Sequence, residues 1–73
     1  MKTYEIVNLR TLNVDAMIYD DIDGLIIVEG RNRVTSTDFT ARLLGVAYVE
    51  EKRVVTSLIG TWLIRRQQCT NPV

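Results

Sequence analysis

The chain has no histidine, one cysteine, one proline, one phenylalanine and one tryptophan among its 73 residues. Each scarcity removes a class of explanation. Without histidine there is no zinc cluster of the Cys/His type, and the commonest general acid–base group is missing. A single cysteine, Cys69, allows no internal disulfide. No apolar run approaches the ~18 residues that span a bilayer. The four glycines, Gly24, Gly30, Gly45 and Gly60, are too far apart to form a phosphate-cradling loop. Few prolines and glycines also argue against a disordered chain. A domain of this size buries only about 60% of its unfolded surface. With no disulfide or metal to staple it, the 47% hydrophobic content carries the fold, alone or with help from a partner.

What is present starts with charge. The net charge is zero, but residues 1–30 hold six acids (Glu5, Asp15, Asp20, Asp21, Asp23, Glu29) against Lys2 and Arg10. Residues 31–73 hold Arg31, Arg33, Arg42, Lys52, Arg53, Arg65 and Arg66 against Asp38, Glu50 and Glu51. Such asymmetry can mark one acidic and one basic face, but sheet strands mix sequence halves in space, which favours interleaving. Met1-Lys2-Thr3-Tyr4-Glu5 carries charge where a signal peptide has its apolar core. A lone cysteine does not suggest a secreted scaffold. The expectation is a soluble, cytoplasmic protein.

Periodicity predicts an α+β fold: a small antiparallel β-sheet of three to five strands with one short helix around residues 37–47. Residues 1–66 form a single globular domain, and 67–73 a flexible C-terminal tail. Leu25-Ile26-Ile27-Val28, bracketed by turn formers, reads as a central strand. Lys2 to Leu9 reads as a first strand with both faces partly covered. Val14 to Tyr19 reads as a second, with Val14, Ala16 and Ile18 on one side and Asp15, Met17 and Tyr19 on the other. The turn Asp20–Gly24 makes a hairpin of this strand with Leu25–Glu29, because Asp side chains cap turns and Gly24 can take positive φ.

Thr35 or Thr37 caps a helix on which Phe39, Leu43, Leu44, Ala47 and Tyr48 form one apolar stripe, with Phe39 in the core. Gly45 is where that helix can stop. Lys52 to Arg66 fits helix or strand. Its Val, Thr, Ile and Trp content favours strands, with Glu50–Arg53 as a charged hairpin tip between Gly45–Val49 and Val54–Ile59. Trp62 falls on the apolar side and predicts a core indole whose N–H finds a partner.

No residue constellation supports catalysis: Cys69 has no base in sequence reach. Asp20, Asp21 and Asp23 resemble part of a calcium loop, but the pattern would place its end ligands at Tyr19 and Gly30, and neither serves. No catalytic residue, metal site or cofactor is expected. Arg31 and Arg33, Lys52-Arg53 and Arg65-Arg66, with Trp62 and Tyr48, could together make a phosphate-binding, base-stacking surface. The sequence pI of about 6.1 is poor for a stand-alone nucleic-acid binder. The candidate partner-binding residues are therefore Asp20, Asp21, Asp23, Arg31, Arg33, Lys52, Arg53, Arg65 and Arg66.

From Met1-Lys2-Thr3-Tyr4-Glu5-Ile6-Val7-Asn8-Leu9 to Asn71-Pro72-Val73, the chain resembles in size and character the small lytic-phage regulators that bind bacterial RNA polymerase, inhibit initiation at host promoters and allow antitermination. The resemblance implies binding at the N-terminal region of the polymerase β′ subunit, near the β flap and the RNA exit channel. It further implies σ displacement, terminator readthrough and residence in the bacterial cytoplasm. Basic residues lying near exiting RNA could add contacts to it within the complex, without stand-alone affinity. It transfers no residue role. Two other readings stay open: an inhibitor of another host macromolecule, such as a nuclease or defence complex, and a small nucleic-acid-binding module. An edge strand in so small a sheet can also pair with a second copy.

Overall fold

The computed structural model describes residues 1–67. Five strands and one helix follow in the order β1 (Lys2–Asn8), β2 (Val14–Asp20), β3 (Ile26–Gly30), α1 (Asp38–Val49), β4 (Val54–Ser57) and β5 (Gly60–Arg66). The sheet runs β3-β2-β1-β5-β4, and every neighbouring pair is antiparallel. This is the expected small α+β architecture, with the β2–β3 hairpin as predicted and the ambiguous C-terminal segment folded as the β4–β5 hairpin. Residues 68–73, with Cys69 and all of the expected tail except Gln67, lie outside the described residues. The Gln67 N–H donates to the Thr3 carbonyl at 2.9 Å, extending the β1–β5 ladder.

The centre of the sheet is β1, not the Leu25–Val28 run, which lies on the edge strand β3. A strand at the centre needs both faces covered, and β1 supplies this with adjacent buried residues, Ile6 and Val7. On β3 only one face is covered: Ile26 and Val28 lie half-buried beneath the helix, while Leu25 and Ile27 are exposed. The apolar content of that run is shared between a helix-covered face and open surface.

Ile6, Ala16, Ile18, Val55, Trp62 and Ile64 point to the helix side and close a core around Leu44 and Ala47. The helix ends two residues later than predicted, at Val49. Its N-cap is Thr37, whose Oγ1 accepts the Thr40 N–H at 3.2 Å. Its covered face is Thr40, Leu44 and Ala47. Phe39 precedes Thr40 by one residue, about 100° round the helix, and is 73% exposed rather than core.

Gly45 does not end the helix. Its Cα faces Val28, and a Cβ there would meet the Val28 Cγ2 at 3.5 Å, an ordinary contact. The stop comes at Glu51, which adopts φ 60°. There the Lys52 N–H donates to Ala47 (2.9 Å) and the Glu51 N–H to Tyr48 (3.0 Å), the paired carbonyl closure of a left-handed C-terminal turn. Residues 50–53 are thus a helix-to-strand turn, not a hairpin tip.

The register between β1 and β2 slips at Ile6/Val7: Ile6 pairs with Ala16 and Val7 with Val14, leaving Asp15 as the extra residue. This bulge overturns the alternation expected for β2 by turning Asp15 towards the core side. Its Oδ2 accepts the Trp62 Nε1–H and the Asn8 amide, each at 3.0 Å. Its carbonyl accepts the Thr35 hydroxyl at 2.7 Å and the Arg31 N–H at 2.8 Å. Trp62 is 1% exposed, as predicted for a core indole. Among the described residues no buried side-chain polar atom lacks a partner, and no helix is long and apolar enough to cross a membrane.

Gly30 is required by close approach: a Cβ added there would overlap the backbone of Thr35 and Ser36. Gly30→Ala therefore forces the β3–α1 loop off Asp15 and is expected to cost about 2 kcal/mol or more. Gly45→Ala gains helix propensity without a clash and is expected to stabilise by about 0.5–1 kcal/mol. Urea denaturation of the two variants reads these opposite signs.

Candidate partner-binding cleft

Antiparallel register gathers one end of the sheet. Lys2 pairs with Asp20 across β1 and β2, and Tyr4 pairs with both Ile18 and Arg66. The C-terminal turn of α1 ends at the same place and delivers Tyr48, Glu51, Lys52 and Arg53. Together these residues line an open cleft of about 680 Å³, floored by Tyr4, Tyr48 and Ile64.

The two tyrosine rings sit 4.7 Å apart between centroids and are tilted by 59°. The Arg66 guanidinium carbon lies 5.5 Å from the centre of the Tyr4 ring, within range of a cation–π contact. The Tyr48 hydroxyl donates a hydrogen bond to the Asp20 carboxylate. Burial first, then this hydrogen bond and the nearness of Tyr4, push the Tyr48 phenol well above the ordinary tyrosine range. Tyr48 is therefore a fixed donor at neutral pH and not a base. Lys52 pairs with Glu50 at 3.1 Å on the exposed rim, where such a pair contributes little and yields easily to another anion.

The predicted residues are not all brought together. Lys52, Arg53, Arg66 and Asp20 line the cleft, as does β5 at Arg65. The Arg65 side chain points to the opposite sheet face, where its Nε donates to Glu5 at 3.0 Å. Asp21 and Asp23 belong to the neighbouring turn, in which the Asp21 carboxylate accepts the Ile22 N–H at 2.7 Å.

Arg31 and Arg33 follow the C-terminal end of β3, at the far end of the sheet, and Arg31 approaches Glu29 at 3.7 Å. The surface joining all three basic stretches with Trp62 does not form, because Trp62 is core and Arg31 and Arg33 are at the wrong end. Acidic and basic halves interleave, with Asp20 and Asp21 beside Lys2 and Arg66. Lys2 and Tyr4 were missed as site residues. Their alternation puts them on one strand face, but only the long-range pairing with β5 brings Arg66 to them. Among the described residues, no three metal-ligating side chains converge.

The cleft thus offers Lys2, Lys52, Arg53 and Arg66 against Asp20, engaged by Tyr48, and Glu51. It is suited to an acidic surface presenting carboxylates or phosphates. A phenol raised above its usual value of about 10 favours the folded state only while protonated. Its stabilising effect is complete below that pH and is lost as pH rises beyond it. An ultraviolet phenolate titration is expected to show one step displaced to high alkali, abolished by Tyr48→Phe. The same variant is expected to flatten the loss of stability above pH 10.

No family model, no curated protein and no solved structure matches this chain.

Proposed function

We propose that this chain is a non-enzymatic binding protein that docks the Lys2, Lys52, Arg53 and Arg66 cleft on an acidic region of a macromolecular partner in the bacterial cytoplasm. Following its resemblance to small lytic-phage regulators, the partner is bacterial RNA polymerase. The outcome is a block of σ-dependent initiation with readthrough of terminators. The observation that supports this most is the cleft itself: four cationic side chains around a tyrosine-floored depression, with one of its two acids occupied. Cations placed this way steer an acidic partner and fix its register. A small protein alters a large machine by binding one of its states better than another, about 1.4 kcal/mol for each tenfold.

A stand-alone nucleic-acid module fits less well. The net charge is zero, the indole is not available for stacking, and the arginine loop lies at the far end from the cleft. Contact with RNA then arises only within the polymerase complex.

The test is affinity capture from bacterial lysate followed by transcription from a σ-dependent promoter. The wild-type chain is expected to retain polymerase subunits, depress initiation and raise readthrough. Arg53→Glu with Arg66→Glu is expected to weaken capture by roughly a hundredfold, since like charges then face the acidic partner. Capture of a nuclease or defence complex in place of polymerase would move the proposal to that target. Retention of neither would overturn it.

A further inference from the structure

A second groove lies on the other side of α1. Ile26 of β3 and Arg42, Gly45, Val46, Val49 and Glu50 of the helix line about 380 Å³ of mainly apolar space. Val46 is 48% and Val49 62% exposed, although both are valines on a helix already packed along another face. The groove runs beside the free edge of β3. The Asp21 N–H donates to Leu25 and the Arg31 N–H to Asp15, which sets the phase of the β2–β3 ladder. By the alternation of antiparallel pairs, the backbone N–H and C=O of Ile26 and Val28 then point off the sheet.

We propose that this groove and strand edge form an interface with a second copy of the chain, related by a two-fold axis between the Val46 side chains. The charges are self-complementary. Arg42 and Glu50 each stand four residues from Val46, on opposite sides of it. An antiparallel helix pair centred there sets each Arg42 against the Glu50 of the other copy, at both ends of the Gly45, Val46 and Val49 strip. Such reciprocal contact is what an isologous two-fold interface requires.

The same axis serves the strands. The helix runs back along β3, from Thr35, bonded to Asp15 opposite the end of that strand, to Tyr48, bonded to Asp20 opposite Ile26. Gly45 lies against Val28, so the middles of helix and strand are level. An axis normal to the sheet beside Val28 therefore pairs β3 with its mate and α1 with its mate at once.

The spacings agree. Strands pair at about 4.8 Å, so β3 would lie ~2.4 Å and β2 ~7 Å from the axis. Helices pack about 8–10 Å apart, which asks for α1 at ~4–5 Å, between β3 and β2. That is its seat: Gly45 touches Val28 of β3, while Leu44 and Ala47 share the core with Ala16 and Ile18 of β2. Each copy keeps its basic cleft, which has only Ile26 and Val49 in common with the groove.

Sedimentation equilibrium of the full chain, from low micromolar to near-millimolar concentration, tests this. The expected result is a reversible dimer of the 8.4 kDa chain. Val46→Asp changes a half-exposed residue and is expected to raise the dimer dissociation constant by roughly a hundredfold with the circular dichroism spectrum unchanged. Arg42→Glu and Glu50→Arg are each expected to raise it at least about tenfold, and the double exchange to restore most of the loss. A single-chain mass throughout would overturn the proposal, as would a dimer that these variants leave intact.

Discussion

The Asp15 carboxylate, turned inward by a one-residue bulge, holds the molecule together. It accepts the indole N–H of Trp62 and the amide of Asn8, while its backbone carbonyl takes the Thr35 hydroxyl and the Arg31 N–H. One residue of β2 thereby ties β1, β5 and the loop leading into α1. Four bonds converge on this one residue, and a donor as buried as the Trp62 indole is costly to leave unmade. Gly30 follows from the same constraint. Thr35 reaches the Asp15 carbonyl only if its backbone passes where a side chain on Gly30 would be. The helix that starts three residues later inherits its position over β3 from this anchor.

Local pattern made much of this legible. Alternation and turn chemistry located β1, β2 and the hairpin to β3. The threonine-rich start placed the helix, and the β-branched content chose strands for β4 and β5. What stayed hidden depended on long-range pairing. Whether Leu25–Val28 is central or peripheral is decided by β5 joining β1, sixty residues away in sequence, and no local signal carries that. Phe39 read as core because its spacing fits a stripe, yet a shift of one residue gives the covered face to Thr40, a less apolar residue satisfied by its own cap. The helix stop escaped notice because a glutamate, Glu51, occupies the left-handed position that a glycine usually takes.

The candidate cleft was half legible for the same reason. Lys52, Arg53 and Arg66 are visible as basic pairs, but Arg65 faces the other way because strand residues alternate. Lys2 and Tyr4 join only through the β1–β5 register. The two halves of opposite charge do not become two faces, since β2 carries Asp20 to the end where β1, β5 and the turn after α1 bring Lys2, Arg66, Lys52 and Arg53. An acidic partner would meet a local cationic depression on a neutral protein, with specificity set by shape and register more than by overall attraction.

The dependence of the fold on Asp15 is tested most directly by a double-mutant cycle of Asp15→Ala and Trp62→Phe, read by urea denaturation at neutral pH. If the carboxylate is the partner of the buried indole, the two losses should fall short of additivity by about 1–3 kcal/mol, because removing either partner already strands the other. Losses that simply add, within about 0.5 kcal/mol, would contradict it and leave the bulge as a local irregularity.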